Sequence, residues 1–195
     1  IPAMKNILRV FAVMIAMLVS LVFITVKTIA PDYGFDLAVE GVDSEVEVLF
    51  DDIGVPHIYA QSETDAMHAL GYVHAMERLW QMDLLRRAGA GELSALLGPD
   101  MVENDKYLRT LGMREAATRT VDQMDGQANP HILDAMTAYL EGINTFIAEG
   151  ELPLEYRLIN AKPEPFDVHD MYCATGFMAY SFAIHLKTEP ILDWM

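Results

Sequence analysis

Hydrophobic and polar positions change their rhythm twice along this chain. It opens with a solid apolar run: Val10 to Val26 contains no charged residue, Lys5 and Arg9 precede it, and Lys27 closes it. Such a run with basic flanks reads as export chemistry, and it leaves an uncleaved membrane anchor and a cleaved signal peptide, residues 1–30, both open. Pro31 directly after Ala30 makes a poor cleavage site. Either outcome places the remainder outside the cytoplasm, periplasmic or extracytoplasmic, with Lys5 and Arg9 on the inner side. Residues 31–45 read as a linker. From Val46 to Ala60 apolar residues alternate with acids around Asp51–Asp52–Ile53–Gly54, the pattern of strand, turn and strand. Pro56 lacks a backbone N–H, which puts it at the edge or the start of the second strand.

The period then changes from two to about 3.6. Ala69, Val73, Met76, Trp80 and Leu84 share one face of a long helix, with Ser62 or Thr64 as its cap and Gly89 or Gly91 at its end. Asp83 stands three and four residues before Arg86 and Arg87, a favourable spacing for ion pairs on a helix. Leu93 to Leu97 predicts a further short helical turn, stopped by Gly98–Pro99. A second long helix starts at Asn129–Pro130, runs its apolar face through Ile132, Met136, Tyr139, Ile143 and Ile147, and stops at Gly150. After a proline-bearing loop, Asp167 with Asp170 three residues on predicts the start of a third helix, with an apolar face of Met171, Thr175, Met178 and Phe182.

Charge narrows the function classes. The chain holds 13 basic and 29 acidic residues. Three of the basic ones and none of the acids lie in the first 30 positions, so residues 31–195 carry a net charge of −19. A surface that negative repels phosphate backbones and argues against nucleic-acid binding. Cys173 is the sole cysteine, so neither an intrachain disulfide nor a cysteine-type zinc cluster is available.

The common catalytic signatures are missing. No H-E-x-x-H occurs, and His68 and His74 lie about 120° apart on a helix, a poor pair of metal ligands. No serine stands in G-x-S-x-G, and Gly89–Ala90–Gly91 lacks the third glycine and the preceding strand of a phosphate loop. Cys173 has no base beside it and reads as packing. Asp51 and Asp52 adjoin a turn, where acids serve local backbone hydrogen bonds. His57, after a turn and a proline, reads as a side chain that bonds backbone to hold a strand end. Glu77, Arg78, Gln81 and Asp83 read as a buried polar network on the long helix.

Several blocks resemble one family. Asp51–Asp52–Ile53–Gly54–Val55–Pro56–His57–Ile58–Tyr59–Ala60 and Gly71–Tyr72–Val73–His74–Ala75–Met76–Glu77–Arg78–Leu79–Trp80–Gln81–Met82–Asp83 are similar to the opening blocks of the penicillin acylases. Leu85–Arg86–Arg87, Gly91–Glu92–Leu93, Leu96–Leu97–Gly98, Leu140–Glu141–Gly142–Ile143–Asn144, Pro153–Leu154–Glu155–Tyr156 and Glu164–Pro165–Phe166 follow in the same order, from about Val46 to Phe182.

The resemblance implies an α+β fold: the mostly helical α-chain part of an αββα N-terminal-nucleophile hydrolase sandwich, here preceded by the apolar export segment. It implies residues 46–195 as an incomplete α-chain region of a self-cleaving precursor whose partner is its own β chain. The reaction it implies is removal of an acyl group from an amide, of penicillin or acyl-homoserine-lactone type, by a serine at the β-chain N-terminus, without a catalytic cofactor. No serine follows Ser181, so no catalytic residue is expected here. By resemblance, Met178 and Phe182 bind the acyl side chain, Ser181 stands where some relatives carry arginine, and Glu189 is the candidate ligand of a structural calcium. The alternative is a membrane-anchored, non-catalytic helical binding module that keeps the scaffold.

Overall fold

A computed structural model of the chain describes residues 2–29, 34, 41–124 and 127–183. Two units divide it, Ile1–Leu37 and Ala38–Met195. The first contains α1 (Pro2–Ile29), whose described large apolar side chains, from Ile7 to Ile24, are exposed. The side chains beyond Ile24 in the expected anchor-or-signal segment lie outside the described residues. Among the described residues no helix is long and apolar enough to cross a membrane.

The second unit opens with an antiparallel hairpin, β1 (Glu47–Phe50) and β2 (Pro56–Tyr59), with Phe50 opposite Pro56. Pro56 begins the second strand, as its missing N–H dictates. Asp51 builds the turn: its Oδ1 accepts from the N–H groups of Ile53 and Val55 at 3.0 and 2.8 Å. The same carboxylate, through Oδ2, lies 3.7 Å from His57 Nε2. The role expected for His57 therefore changes, because its partner is the turn carboxylate and not a backbone group. Among the described residues these are the only strands, so the unit is mostly helical and the two strands do not by themselves form a sandwich.

Around the long helix α2 (Glu63–Ala90) the other helices assemble. Ser62 caps it by accepting the Asp65 N–H at 3.0 Å, and Gly91 ends it in a left-handed turn with its N–H on the last carbonyls. Against one side lies α6 (Pro130–Glu149), capped by Asn129, and against another α8 (Val168–Ala183). Both approaches are unusually close. A Cβ at Gly71 would overlap the Tyr139 carbonyl, one at Gly142 the His68 carbonyl, and one at Gly89 the carbonyl of Cys173. Gly89 thus serves the crossing with α8 and does not end α2.

The most buried face of α2 differs from the expected one. His68, Ala75, Leu79, Asp83 and Arg86 are each at most 4% exposed, whereas Ala69, Met76, Trp80 and Leu84 are only half-buried. Hydropathy reads the apolar stripe, but this helix is covered on two sides and its innermost line carries charge. Ala75 and Leu79 pack with Leu140, Ile143, Phe146, Tyr156 and Phe166 in the main core. A smaller cluster joins Ala88 to Leu108 and Met113.

Shorter helices complete the described part of the unit. The turn expected at Leu93–Leu97 is α3; α4 (Val102–Thr110) and α5 (Met113–Met124) follow, and α7 (Leu154–Ile159) occupies the stretch that reads as loop. Six residues are too few to display a helical period, and Pro153 looks like loop punctuation although it suits the start of a helix. From α4, Asp105 accepts the Leu93 and Ser94 N–H groups at 2.8 Å each, so it caps α3 from outside.

Candidate functional site

The start of α8 is fixed by sequence and by packing together. Asp167 accepts the Asp170 N–H at 2.9 Å while Asp170 accepts the Asp167 N–H at 3.2 Å, the reciprocal cap that the spacing predicts. Arg86 of α2 then pins the junction. Its Nη1 donates to Asp170 Oδ2 at 2.8 Å and to the Pro165 carbonyl at 3.0 Å, and its Nη2 donates to the Glu164 carbonyl at 2.9 Å. Its Nε donates to Asp83 Oδ1 at 2.8 Å, and the guanidinium lies 3.8 Å over the Phe166 ring. Burial alone would weaken the charge of Arg86, but Asp83 and Asp170 outweigh it and hold the group protonated.

Asp83 is the hub. It is fully buried and also accepts from Arg87 Nε and from the Tyr156 hydroxyl, each at 2.8 Å. Burial, and then the charge of Asp83, push the Tyr156 phenol far above its ordinary range. The buried network expected around Glu77, Arg78, Gln81 and Asp83 is therefore differently built. Arg78 and Gln81 are exposed and Glu77 is half-buried. Asp83 anchors the network, and its partners come from one turn further on and from α7. A charged hollow of about 150 Å³ opens beside it, lined by Arg86, Arg87, Glu92, Arg114, Glu164 and Asp170 among others.

Along α8 the packing face is Cys173 and Phe177. Cys173 is fully buried, its backbone against Gly89, and burial raises its thiol pKa, which suits a packing residue and not a nucleophile. Phe177 joins the cluster of Ala88, Leu108 and Met113. Of the apolar stripe expected on this helix, Met171 is half-buried against the main core. Thr175 is exposed, Met178 is 46% exposed and Phe182 is 76% exposed. The helix turns its Cys173 side inward because only there does the Gly89 backbone let it approach.

Met178 and Phe182 thus stand one turn apart on an open face. Ser181 lies beside them, its hydroxyl donating to the Phe177 carbonyl at 2.8 Å, a bond within its own helix. The Tyr107 and Tyr180 hydroxyls meet at 2.6 Å and tie this last turn to α4. No sequence signal foretells that pair, since 73 positions separate its members. Glu189 lies outside the described residues. Among the described residues no group of three acids, histidines or cysteines could hold a metal ion. His74 shares a 2.6 Å hydrogen bond with the Tyr139 hydroxyl, a structural contact between α2 and α6.

The comparisons with known proteins agree with one another. The family model described as penicillin amidase matches residues 45–194. The penicillin acylase 2 proenzyme of Pseudomonas sp. (strain SE83) is 40% identical over 138 residues, covering 70% of this chain and 17% of that protein. The penicillin G acylase of Escherichia coli is 31% identical over 153 residues, 74% of this chain and 17% of that protein. The acyl-homoserine lactone acylase QuiP of Pseudomonas aeruginosa is 29% identical over 153 residues, 77% of this chain and 18% of that protein. The chain therefore spans less than a fifth of the length of these relatives. Among solved structures, a thermostable penicillin G acylase from Alcaligenes faecalis superposes with a TM-score of 0.62 at 30% identity, covering 71% of this chain and 74% of that one.

Proposed function

This chain belongs to the penicillin amidase family, and from that premise we propose that it is the acyl-recognising part of an exported amide hydrolase whose nucleophile lies on a second chain cut from the same precursor. The observation that carries the reading is the open stripe of Met178 and Phe182 on a helix whose other end is fixed by Arg86. A methionine and an aromatic at i and i+4 form an adaptable apolar wall, suited to an acyl tail of uncharged character. Ser181 adds no charge to that wall, so recognition there rests on shape and burial. That one relative is named as a proenzyme supports a precursor.

In this reading the reaction is acyl transfer to water. A serine hydroxyl at the second chain's N-terminus attacks the amide carbonyl, and its proton passes through water to the free α-amine of the same residue. Oxyanion donors on that chain hold the tetrahedral intermediate. The proton then goes to the departing amine, leaving a serine ester, and water cleaves the ester to a carboxylate. The present chain contributes no reacting atom. It holds the acyl group in place, and its buried Asp83–Arg86–Asp170 network fixes the helix that does so. Penicillin-type and acyl-homoserine-lactone-type amides are the substrate classes that the relatives' names suggest. The N-terminal segment, with Lys5 and Arg9 before its apolar run, supports extracytoplasmic placement. A structural calcium would rest on Glu189, and no step runs through it.

The test is acyl-chain selectivity. The complete precursor is expressed with Met178→Ala or Phe182→Ala, and hydrolysis of acyl amides of increasing tail length is followed. The expected result is a raised KM for the preferred tail, with kcat little changed, and a shift towards bulkier acyl groups. Unchanged selectivity in both variants removes these residues from the site.

A further inference from the structure

The first turns of α2 hold an unsatisfied pair. Asp65 and His68 are each 1% exposed, yet among the described residues Asp65 Oδ2 and both ring nitrogens of His68 have no hydrogen-bond partner. Buried polar groups are ordinarily paired, as Asp83, Arg86 and Asp105 are in this protein. The short segment 41–44 lies over the pair. The Asp43 N–H donates to Asp65 Oδ1 at 2.9 Å. Gly41 sits on the imidazole with φ +90°. A Cβ there would stand 3.1 Å from Cε1 and 3.3 Å from Nδ1 of His68, and 3.8 Å from Glu141 Oε2.

We propose that His68 is the pH-sensitive catch beneath a strap, residues 41–44, through which the chain passes from its N-terminal unit into the helical body. A neutral imidazole fits under Gly41 because it carries no charge to solvate. A second proton turns both nitrogens into donors, and among the described residues neither has an acceptor within hydrogen-bond distance. The charged groups that face the ring are Asp65 from α2 and Glu141 from α6; the strap covers it with the Gly41 backbone, and its own acid, Asp43, is exposed. To reach Asp65 Oδ2, Glu141 or water, a charged ring must turn or be wetted, and either movement lifts Gly41.

The sign follows from the balance of these influences. Burial lowers the His68 pKa below its ordinary 6.5, and Glu141 and Asp65 raise it only part of the way back. A basic group with a depressed folded pKa favours the closed state fully above 6.5, and that contribution is lost as pH falls from 6.5 through the folded value. Asp65 titrates below the ordinary carboxylate range, so it stays charged throughout that window.

Hydrogen exchange of the complete protein between pH 7.5 and 5.5, corrected for intrinsic exchange rates, reads the catch directly. The Asp43 amide is expected to lose about tenfold of its protection per pH unit within the titration window, while amides of α6 keep theirs. In His68→Gln, with α6 protection as the check on folding, the pH dependence should vanish; His68→Asn serves if Gln does not fold. Protection in the wild type that is flat across this range overturns the proposal. So does an equal loss in the variant, or an imidazole NMR titration of His68 at or above 6.5.

Discussion

The hydroxyl of Tyr156 donates to Oδ2 of Asp83 at 2.8 Å, joining the short helix α7 to the last third of α2 across 73 positions. Both residues are at most 1% exposed. The bond holds the one carboxylate oxygen that the two arginines leave open, since Arg86 and Arg87 both donate to Oδ1. Tyr156→Phe keeps the ring and its edge contact with Trp80 and removes only this donor. The expected cost is about 1–3 kcal/mol, the penalty of a buried unsatisfied oxygen. Chemical denaturation of the protein measures it, and an unchanged midpoint would mean that water replaces the hydroxyl freely.

Gly142 meets α2 with no room for a side chain. Its missing Cβ would overlap the His68 carbonyl and lie 2.8 Å from the Tyr72 backbone nitrogen, and both neighbours are helix backbone that cannot swing aside. Gly142→Ala is therefore expected to destabilise by about 1–3 kcal/mol or more, although alanine is the better helix former. Gly176, where a Cβ would make only ordinary contact with Met113, is the control. Thermal unfolding of Gly142→Ala and Gly176→Ala side by side checks the contrast.

Asp105 gives the fold an acid-sensitive joint. Burial would raise its pKa, but the hydrogen bonds from the Ser94 side chain and from the Ser94 and Leu93 backbone, together with the charge of Arg109, outweigh burial and hold it below 3.8. A carboxylate with a depressed folded pKa stabilises the fold above its unfolded value, and the contribution fades as pH falls through the folded value. Unfolding midpoints measured between pH 5 and 2.5 should fall less steeply for Asp105→Asn than for the wild type. Parallel slopes would remove Asp105 from the acid response.

Much of this architecture is legible in the chain. Ser62, Asn129 and Asp167 announce three helix starts by cap chemistry that needs no tertiary context, and Gly150 ends one of those helices. The hairpin follows from alternation and from Pro56. What stays hidden depends on long-range contact. Hydropathy cannot show that the inner face of α2 runs through His68, Asp83 and Arg86, because these residues are buried by partners distant in sequence: segment 41–44 and α6 at His68, α7 at Asp83, and residues 164–170 at Arg86. Likewise, the i and i+4 spacing of Met178 and Phe182 does not by itself separate a core pair from an open wall; the Gly89–Cys173 contact turns the opposite side of α8 inward. The family blocks identify the scaffold, but the spacing of residues inside them does not reveal which face stays open.

The measurement that tests the account most directly is the intact mass of the protein made from the complete precursor gene, with the N-terminus of each product sequenced and amide hydrolysis assayed on the same sample. The account predicts two chains, the second beginning with serine, and acylase activity that is lost when that serine becomes alanine. A single uncleaved chain without hydrolytic activity would contradict it, and would leave the family's scaffold serving as a binding module.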